Sequence, residues 1–488
     1  MNIVTAATEA AGIAKAGGLA DVISALNKEW AKAGHNNIII LPKYRYLDCP
    51  EGSFKPTDIT LIVPMGNWTE FARLWQGTLP ETNIPVYLIE HNVYFDRNGI
   101  YGESKEYPDN DRRFIFFSRA IMETCKALNF KPDVIHAHDF HTAFTMAFLK
   151  THYRDEPLFQ KTAGVYTIHN LAYQGKFDPM NSLTYAGYDR GAFYIGSWFE
   201  QFGVVNAMKV GIMFADKITT VSPTYSKEIR LDYYSEGLRD ELNIRAADLI
   251  GILNGPDYDV WSPKADKFIY KNYSIDTLKD KTINKFELLK DFGLTNQDNL
   301  EKPLFGMVTR LTEQKGIDLI IEVIERFIAK GDFRLVLLGS GAHKYESFFN
   351  YMNEKYPKDV LIRIGYDNML SHRIFAASDY YLMPSRYEPC GLTQLYSMKY
   401  GTLPIVRITG GLADTVEEYS ESNQTGTGFR FYKYEGIELD YAIGRALEIY
   451  QKEYHWNRAR MNSMERNFTS EESAKKYLEV FNWALEAK

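Results

Sequence analysis

The sequence predicts an α/β protein built from two Rossmann-like domains, and three observations lead there. Short strands rich in Val and Ile alternate with amphipathic helices along the chain, the pattern of parallel sheets covered on both faces. Two turns of the kind that receives a phosphate lie far apart, one around Lys15 and one around Gly391. At 488 residues the chain is also longer than one hydrophobic core usually supports, and large α/β units favour two domains over three.

From the N-terminus, the apolar strand Asn2 to Ala6 leads through Gly12 into Lys15-Ala16-Gly17-Gly18-Leu19-Ala20-Asp21-Val22. Paired glycines let the main chain approach a ligand, and Lys15 supplies a point charge. No Gly-Lys-Ser/Thr occurs in this turn, which argues against a Walker loop and ATP hydrolysis. Tight strand–helix packing explains such glycines about as often as ligand binding does. Next, Asp109-Asn110-Asp111 has the Asp-x-Asp form that holds a divalent ion on a nucleotide diphosphate, but it follows Pro108 and opens a helical run, so capping explains it. His136, His138 and His141 could suggest a metal site, yet Phe140 stands where a metallo-hydrolase pattern needs Asp, and Asp139 comes one residue too early. A hinge is expected near 240–248, and Asp257-Tyr258-Asp259 beyond it reads as a turn.

In the second half, Leu304 to Val308 reads as a buried strand, Thr309 to Gly316 as the loop after it and Ile317 onward as an amphipathic helix. Arg310 and Lys315 therefore sit at the carboxyl end of a strand, the edge where open parallel sheets bind ligands. The run Pro384-Ser385-Arg386-Tyr387-Glu388-Pro389-Cys390-Gly391-Leu392-Thr393-Gln394 ends another strand on a carboxylate and opens a helix through a glycine. An acid at a helix start is favourable without any chemistry. Beside Arg310 and Lys315, however, it points to a phosphate held next to Glu388.

Composition narrows the partners. A net charge of −7 argues against nucleic acid, which selects basic surfaces. No apolar stretch reaches membrane-spanning length. Cys49, Cys125 and Cys390 form an odd, widely spaced set without Cys-x-x-Cys, which fits a reducing compartment. No signal or transit segment precedes the first strand, so the expected location is cytoplasmic, or the plastid stroma for a plant or algal chain whose transit peptide has been removed. Aromatic residues reach 14%, and Tyr44, Tyr46, Phe193, Tyr194, Trp198, Phe199, Phe348, Phe349 and Tyr351 read as partly loop-borne groups, some of them open to ligand contact.

Taken in order, the motifs resemble those of the bacterial glycogen synthase and plant starch synthase family over nearly the whole chain. The resemblance rests on Lys15 to Asp21, His136-Ala137-His138-Asp139, Thr167-Ile168-His169-Asn170-Leu171-Ala172-Tyr173-Gln174-Gly175 and Thr220 to Tyr225. It continues through Leu253-Asn254-Gly255, Thr309-Arg310-Leu311 with Lys315-Gly316, Glu388 to Gln394, and Thr409-Gly410-Gly411-Leu412-Ala413-Asp414-Thr415-Val416. It implies the GT-B architecture, with an active site in the cleft between domains 1–240 and 248–466 and a last helix, 467–488, crossing back onto the first. It also implies transfer of glucose from a nucleotide-glucose, commonly ADP-glucose, to the non-reducing end of an α-1,4-glucan with retention of configuration. Ala16 stands where the family usually has Thr, Ala377 where it often has Gly and Pro256 where it usually has an aliphatic residue. None of these changes removes a group the chemistry needs.

On this reading Arg310 and Lys315 stabilise the departing diphosphate, Lys15, Gly17 and Gly18 bind it with Asp21 beside them, and Glu388, His138, Asp139 and Asn254 hold the glucose near Gly391, Leu392 and Thr393. Tyr396 occupies the position, eight residues after Glu388, where a related transferase family carries a second Glu. With no matched second acid to act as nucleophile, a front-face, oxocarbenium-like substitution is expected, and neither a metal nor a cofactor is needed. The alternatives are UDP-glucose as donor, a catalytically silent glucan-binding protein and, more distantly, a phosphorylase.

Overall fold

A computed structural model describes residues 1–103, 105–296 and 300–488. The chain forms two compact units, Met1–Gly255 with Ser470–Lys488, and Pro256–Thr469. The segment 240–248, expected as the hinge, lies inside the first unit, in helix Arg239–Ile244 and the turn after it.

The first unit is built on a nine-stranded sheet among the described residues, in the order Leu249–Gly251, Lys217–Thr220, Ala163–Ile168, Val134–His138, Asn2–Ala6, Asn36–Pro42, Pro85–Glu90, Trp68–Thr78, Lys55–Met65. The first seven in that order run parallel, and the long Lys55–Met65/Trp68–Thr78 hairpin closes the far edge antiparallel. Strand order reverses between Asn2–Ala6 and Val134–His138, so the crevice of this doubly wound sheet opens at the carboxyl ends of those two strands.

The last helix, Ser470–Glu486, belongs to this unit. Ala474, Tyr477, Val480, Phe481 and Ala484 recur at helical spacing and are all buried, against Ile3, Val22, Leu26 and Trp30. Trp30 Nε1 donates to the Ala474 carbonyl at 3.2 Å. Ser473 Oγ accepts from the Gly255 N–H at 2.9 Å, tying the segment that carries Asn254 to the same helix.

The second unit carries a wholly parallel six-stranded sheet among the described residues, in the order Val360–Ile364, Arg334–Gly339, Leu304–Val308, Tyr380–Met383, Leu403–Arg407, Phe429–Phe431. Here the order reverses between Leu304–Val308 and Tyr380–Met383. Helix Ile317–Lys330 covers one face through Ile317, Ile320, Val323, Ile324, Phe327 and Ile328, the amphipathic spacing expected from the sequence. No helix among the described residues is long and apolar enough to cross a membrane.

Candidate active site

In each sheet several of the singled-out residues lie at the reversal, although Asn254 follows the edge strand of the first sheet. In the second unit, the loop after Leu304–Val308 delivers Lys315 and the loop after Tyr380–Met383 delivers Glu388, and the Lys315 amine donates to Glu388 Oε2 at 2.6 Å. Glu388 is only 5% exposed. Its Oε2 also accepts from Ser385 Oγ at 3.0 Å.

Close approach of main chains fixes both loops. Gly316 has φ +72°, and a β-carbon there would lie 2.1 Å from the Pro384 carbonyl oxygen, so only glycine lets the Lys315 loop seat on the Glu388 loop. The Arg386 N–H donates to the Gln314 carbonyl at 2.9 Å across the same seam, and Arg386 pairs with Glu313. From behind, the Gly411 N–H donates to the Glu388 carbonyl at 3.1 Å. Gly391 adopts φ +70° just before helix Thr393–Lys399, whose N-cap is Leu392, and Thr393 Oγ1 donates to Met383 Sδ at 3.4 Å. Arg310 is exposed at the mouth of the strand.

In the first unit, the Lys15 turn follows Asn2–Ala6 and His138 closes Val134–His138. Lys15 is no isolated charge: Asp21 binds its amine at 2.7 and 2.9 Å. Nor do the N–H groups of the turn stand open, because the buried Glu9 carboxylate accepts from Ala16 at 2.5 Å and Gly17 at 2.7 Å. Gly17 has an extended φ of −153°, and a β-carbon there would meet nothing within 4 Å. Its missing side chain therefore leaves space rather than relieving strain.

The strand here is Val134–His138, so His138 is its last residue. His138 Nδ1 is 2.9 Å from His169 Nε2, while His138 Nε2 is buried with no hydrogen-bond partner among the described residues. His136 instead faces Thr167 Oγ1 at 2.6 Å and packs on Trp30, Tyr477 and Phe481, and the His141 ring lies against Tyr101 and Phe114. The His136 and His138 rings stay neighbours with centroids 4.0 Å apart, whereas His141 packs on Tyr101 and Phe114 instead. Burial drives the pKa values of all three well below that of ordinary imidazole, and that of His169 down to about 3, so all are neutral. Asp139 sits in a left-handed turn at φ +56° and accepts from the His169 N–H at 2.8 Å. Burial raises its pKa to about 7. Asn254 is buried after strand Leu249–Gly251.

Several expectations change. Asp109 stands at the N-cap of helix Asn110–Ala127, but its side chain makes no capping bond and binds Arg97 at 2.7 and 2.6 Å instead. Tyr44, Phe199 and Phe349 are core, whereas Tyr46, Tyr194, Trp198 and Tyr351 are exposed. Phe348, Phe349 and Tyr351 lie on helix His343–Lys355 rather than on a loop. Ala377 ends helix Asn368–Ala377 inside the core. Glu9 and His169 are the groups that sequence reasoning had not assigned. His169 lay within a quoted motif, whereas no spacing marked Glu9.

Comparison with known proteins agrees with this fold. Residues 2–244 match the starch synthase catalytic domain and residues 295–461 the glycosyl transferases group 1 family. The chain is 41% identical to the glycogen synthase of Thermosipho melanesiensis over 99% of both chains. It is 42% identical to glycogen synthase 1 of Geobacter sulfurreducens, over 99% of this chain and 96% of that one. The solved catalytic domain of starch synthase IV from Arabidopsis thaliana, bound to ADP and acarbose, matches with a TM-score of 0.91 and 34% identity over 99% of each chain. Fold and relatives together define a glycosyltransferase of GT-B architecture. The chain belongs to the glycogen and starch synthase family.

Proposed function

We propose that the chain transfers glucose from ADP-glucose to the non-reducing end of an α-1,4-glucan with retention of configuration. The observation that carries the reading is the Lys315–Glu388 contact at the reversal point of the second sheet, which sets a cation beside a buried acid where such sheets take their ligands. ADP as the nucleotide is supported by the starch synthase IV likeness, since that protein was solved with ADP.

Lys315 and Arg310 neutralise the diphosphate as it departs, and Lys15 and Gly18 contact it as well. Charge aimed at the leaving group is felt most in the transition state, where the bond to the anomeric carbon is largely broken. Glu388, Asp139, Asn254 and the Gly391–Thr393 turn hold the glucose, and the partnerless His138 Nε2 is a buried group suited to a sugar hydroxyl. The acceptor hydroxyl attacks from the face the diphosphate is leaving and passes its proton to a departing phosphate oxygen, so configuration is kept without a protein nucleophile. A cytoplasmic location fits cysteines that form no disulfide among the described residues.

Initial rates with ADP-glucose and UDP-glucose on glycogen test the donor. Faster turnover with ADP-glucose is expected. A strong UDP-glucose preference overturns the donor assignment, and glucan binding without nucleotide release from either donor overturns catalysis itself.

A further inference from the structure

The Lys15 turn is held from inside by an anion of the protein's own. Glu9 lies three residues beyond strand Asn2–Ala6 and is 3% exposed. Its Oε2 takes the main-chain N–H groups of both Ala16 and Gly17, and its Oε1 accepts the hydroxyl of Tyr101. An entering phosphate therefore cannot use those two N–H groups without displacing a carboxylate, and would meet like charge in doing so.

Tyr101 is itself secured from four directions. Its hydroxyl meets Thr8 Oγ1 at 2.9 Å, its carbonyl accepts from Asn110 Nδ2 and from the Tyr107 N–H, each at 3.1 Å, and its ring stacks on His141 at 4.5 Å. The result is a continuous brace from Asn110 and Tyr107 through Tyr101 and Glu9 into the turn that ends on Lys15. Asp21 then holds the amine from the helix side.

We propose that Glu9 and Tyr101 are positioning residues for the donor diphosphate: the Glu9 carboxylate, held by the Tyr101 hydroxyl, occupies the N–H pair of the turn and thereby fixes where Lys15 presents its charge. This rests on the proposed contact between Lys15 and the diphosphate. The phosphate then meets Lys15 and the start of helix Gly18–Lys32 rather than the Ala16 and Gly17 N–H groups. Geometry, not charge supplied to the substrate, is the contribution of Glu9, because a carboxylate beside a diphosphate has no attractive term of its own to offer.

The test is a double-mutant cycle with ADP-glucose as donor and glycogen as acceptor. Tyr101→Phe removes one hydroxyl and Glu9→Gln keeps the shape while losing the charge. Each is expected to lower kcat/KM for ADP-glucose by about tenfold to a hundredfold, the cost of a misplaced reacting group, with KM for glycogen unchanged. In a Lys15→Ala background the added effect of Tyr101→Phe should shrink to less than about twofold, which a merely structural role would not produce. If Glu9→Gln fails to fold, the Tyr101→Phe arm carries the test alone, with its melting temperature as control. An impaired Lys15→Ala enzyme in which Tyr101→Phe keeps its full effect overturns this inference alone. A fully active Lys15→Ala enzyme overturns the diphosphate reading of Lys15 and this inference with it.

Discussion

Replacing Lys315 by methionine should separate stability from catalysis, because on the proposed reading the lysine serves both through one contact. The side chain keeps most of its length and loses its charge. In the folded protein the Lys315 amine sits 2.6 Å from Glu388 Oε2, with the two side chains 18% and 7% exposed. Removing the cation leaves the Glu388 carboxylate with the Ser385 hydroxyl as its remaining side-chain donor among those described. Breaking a fully buried pair typically costs about 3–5 kcal/mol, and the partial exposure of Lys315 brings the expected loss to about 2–3 kcal/mol. For a unit the size of Pro256–Thr469, that lowers its melting temperature by roughly 5–10 °C. The stability change has a remedy in the partner: adding Glu388→Gln removes the stranded charge and should restore most of the lost melting temperature.

Activity should not be restored with it. Losing one group that stabilises developing charge costs about 3 kcal/mol in the transition state, or roughly a hundredfold in kcat. The double variant loses the sugar-holding acid as well, so it should be more stable than Lys315→Met and no more active. The assays are release of ADP at saturating glycogen, a glycogen binding isotherm and thermal unfolding, each run on the wild type, the two single variants and the double variant. Wild-type kcat in Lys315→Met would put the lysine outside the reaction. An equal drop in melting temperature for Lys315→Met and the double variant would show that the contact does not carry the stability assigned to it.

Three further outcomes are expected. Activity should survive EDTA, since the proposed mechanism draws its countercharge from protein cations rather than a metal; loss on chelation with recovery in magnesium or manganese would return Asp109/Asp111 or Asp257/Asp259 to consideration. Phe481→Ala, at a fully buried ring 5.2 Å from both Trp30 and His136, should destabilise by about 3–5 kcal/mol, while Trp483→Ala on the exposed side of the same helix should cost under about 1 kcal/mol, both read by thermal unfolding. His169 stays neutral in the folded protein down to about pH 3, whereas the unfolded chain takes up its proton below about 6.5, so its contribution is present above that pH and is lost as pH falls toward 3. Stability measured from about pH 6.5 downward should therefore fall less steeply in His169→Phe, by up to one proton or about 1.4 kcal/mol per pH unit, and an unchanged slope would mean that His169 titrates normally.

The sheets and their covering helices were legible because periodicity reports burial: the apolar spacing of Ile317 to Lys330 and of Ser470 to Glu486 is the spacing that packs. Glu388 and Lys315 could be brought together from sequence because each comes just after a buried strand, and parallel strands deliver the loops at their carboxyl ends to one edge. Glu9 could not be read that way. Its carboxylate folds back on N–H groups seven and eight residues ahead and meets a phenol 92 residues away, and no local period encodes such a closure. Asp109 was misjudged for a related reason: a capping preference is local, and Arg97 outcompeted it with two hydrogen bonds to the same carboxylate. Tyr44 and Tyr46 differ in nothing that composition records, yet one hydroxyl reaches the Thr8 carbonyl in the core and the other side chain is 68% exposed.

The two reversal points differ in chemistry although they share a topology. At the first, the histidines are neutral, Lys15 is balanced by Asp21, and the pKa of Asp139 is lifted to about 7, so His138 and His169 offer hydrogen bonds rather than charge. At the second, Lys315 and Glu388 meet in a buried contact with Arg310 exposed nearby. A glucosyl group is neutral and is told from other sugars by its hydroxyls, whereas a departing diphosphate is recognised by charge. Neutral donors and acceptors discriminate a missing hydroxyl strongly, because their unpaired state is costly when buried. Cations discriminate poorly but stabilise a developing anion well. On the proposed reading this difference makes the donor nucleotide the least legible part of the function: groups placed to bind phosphates respond to charge, which ADP and UDP share.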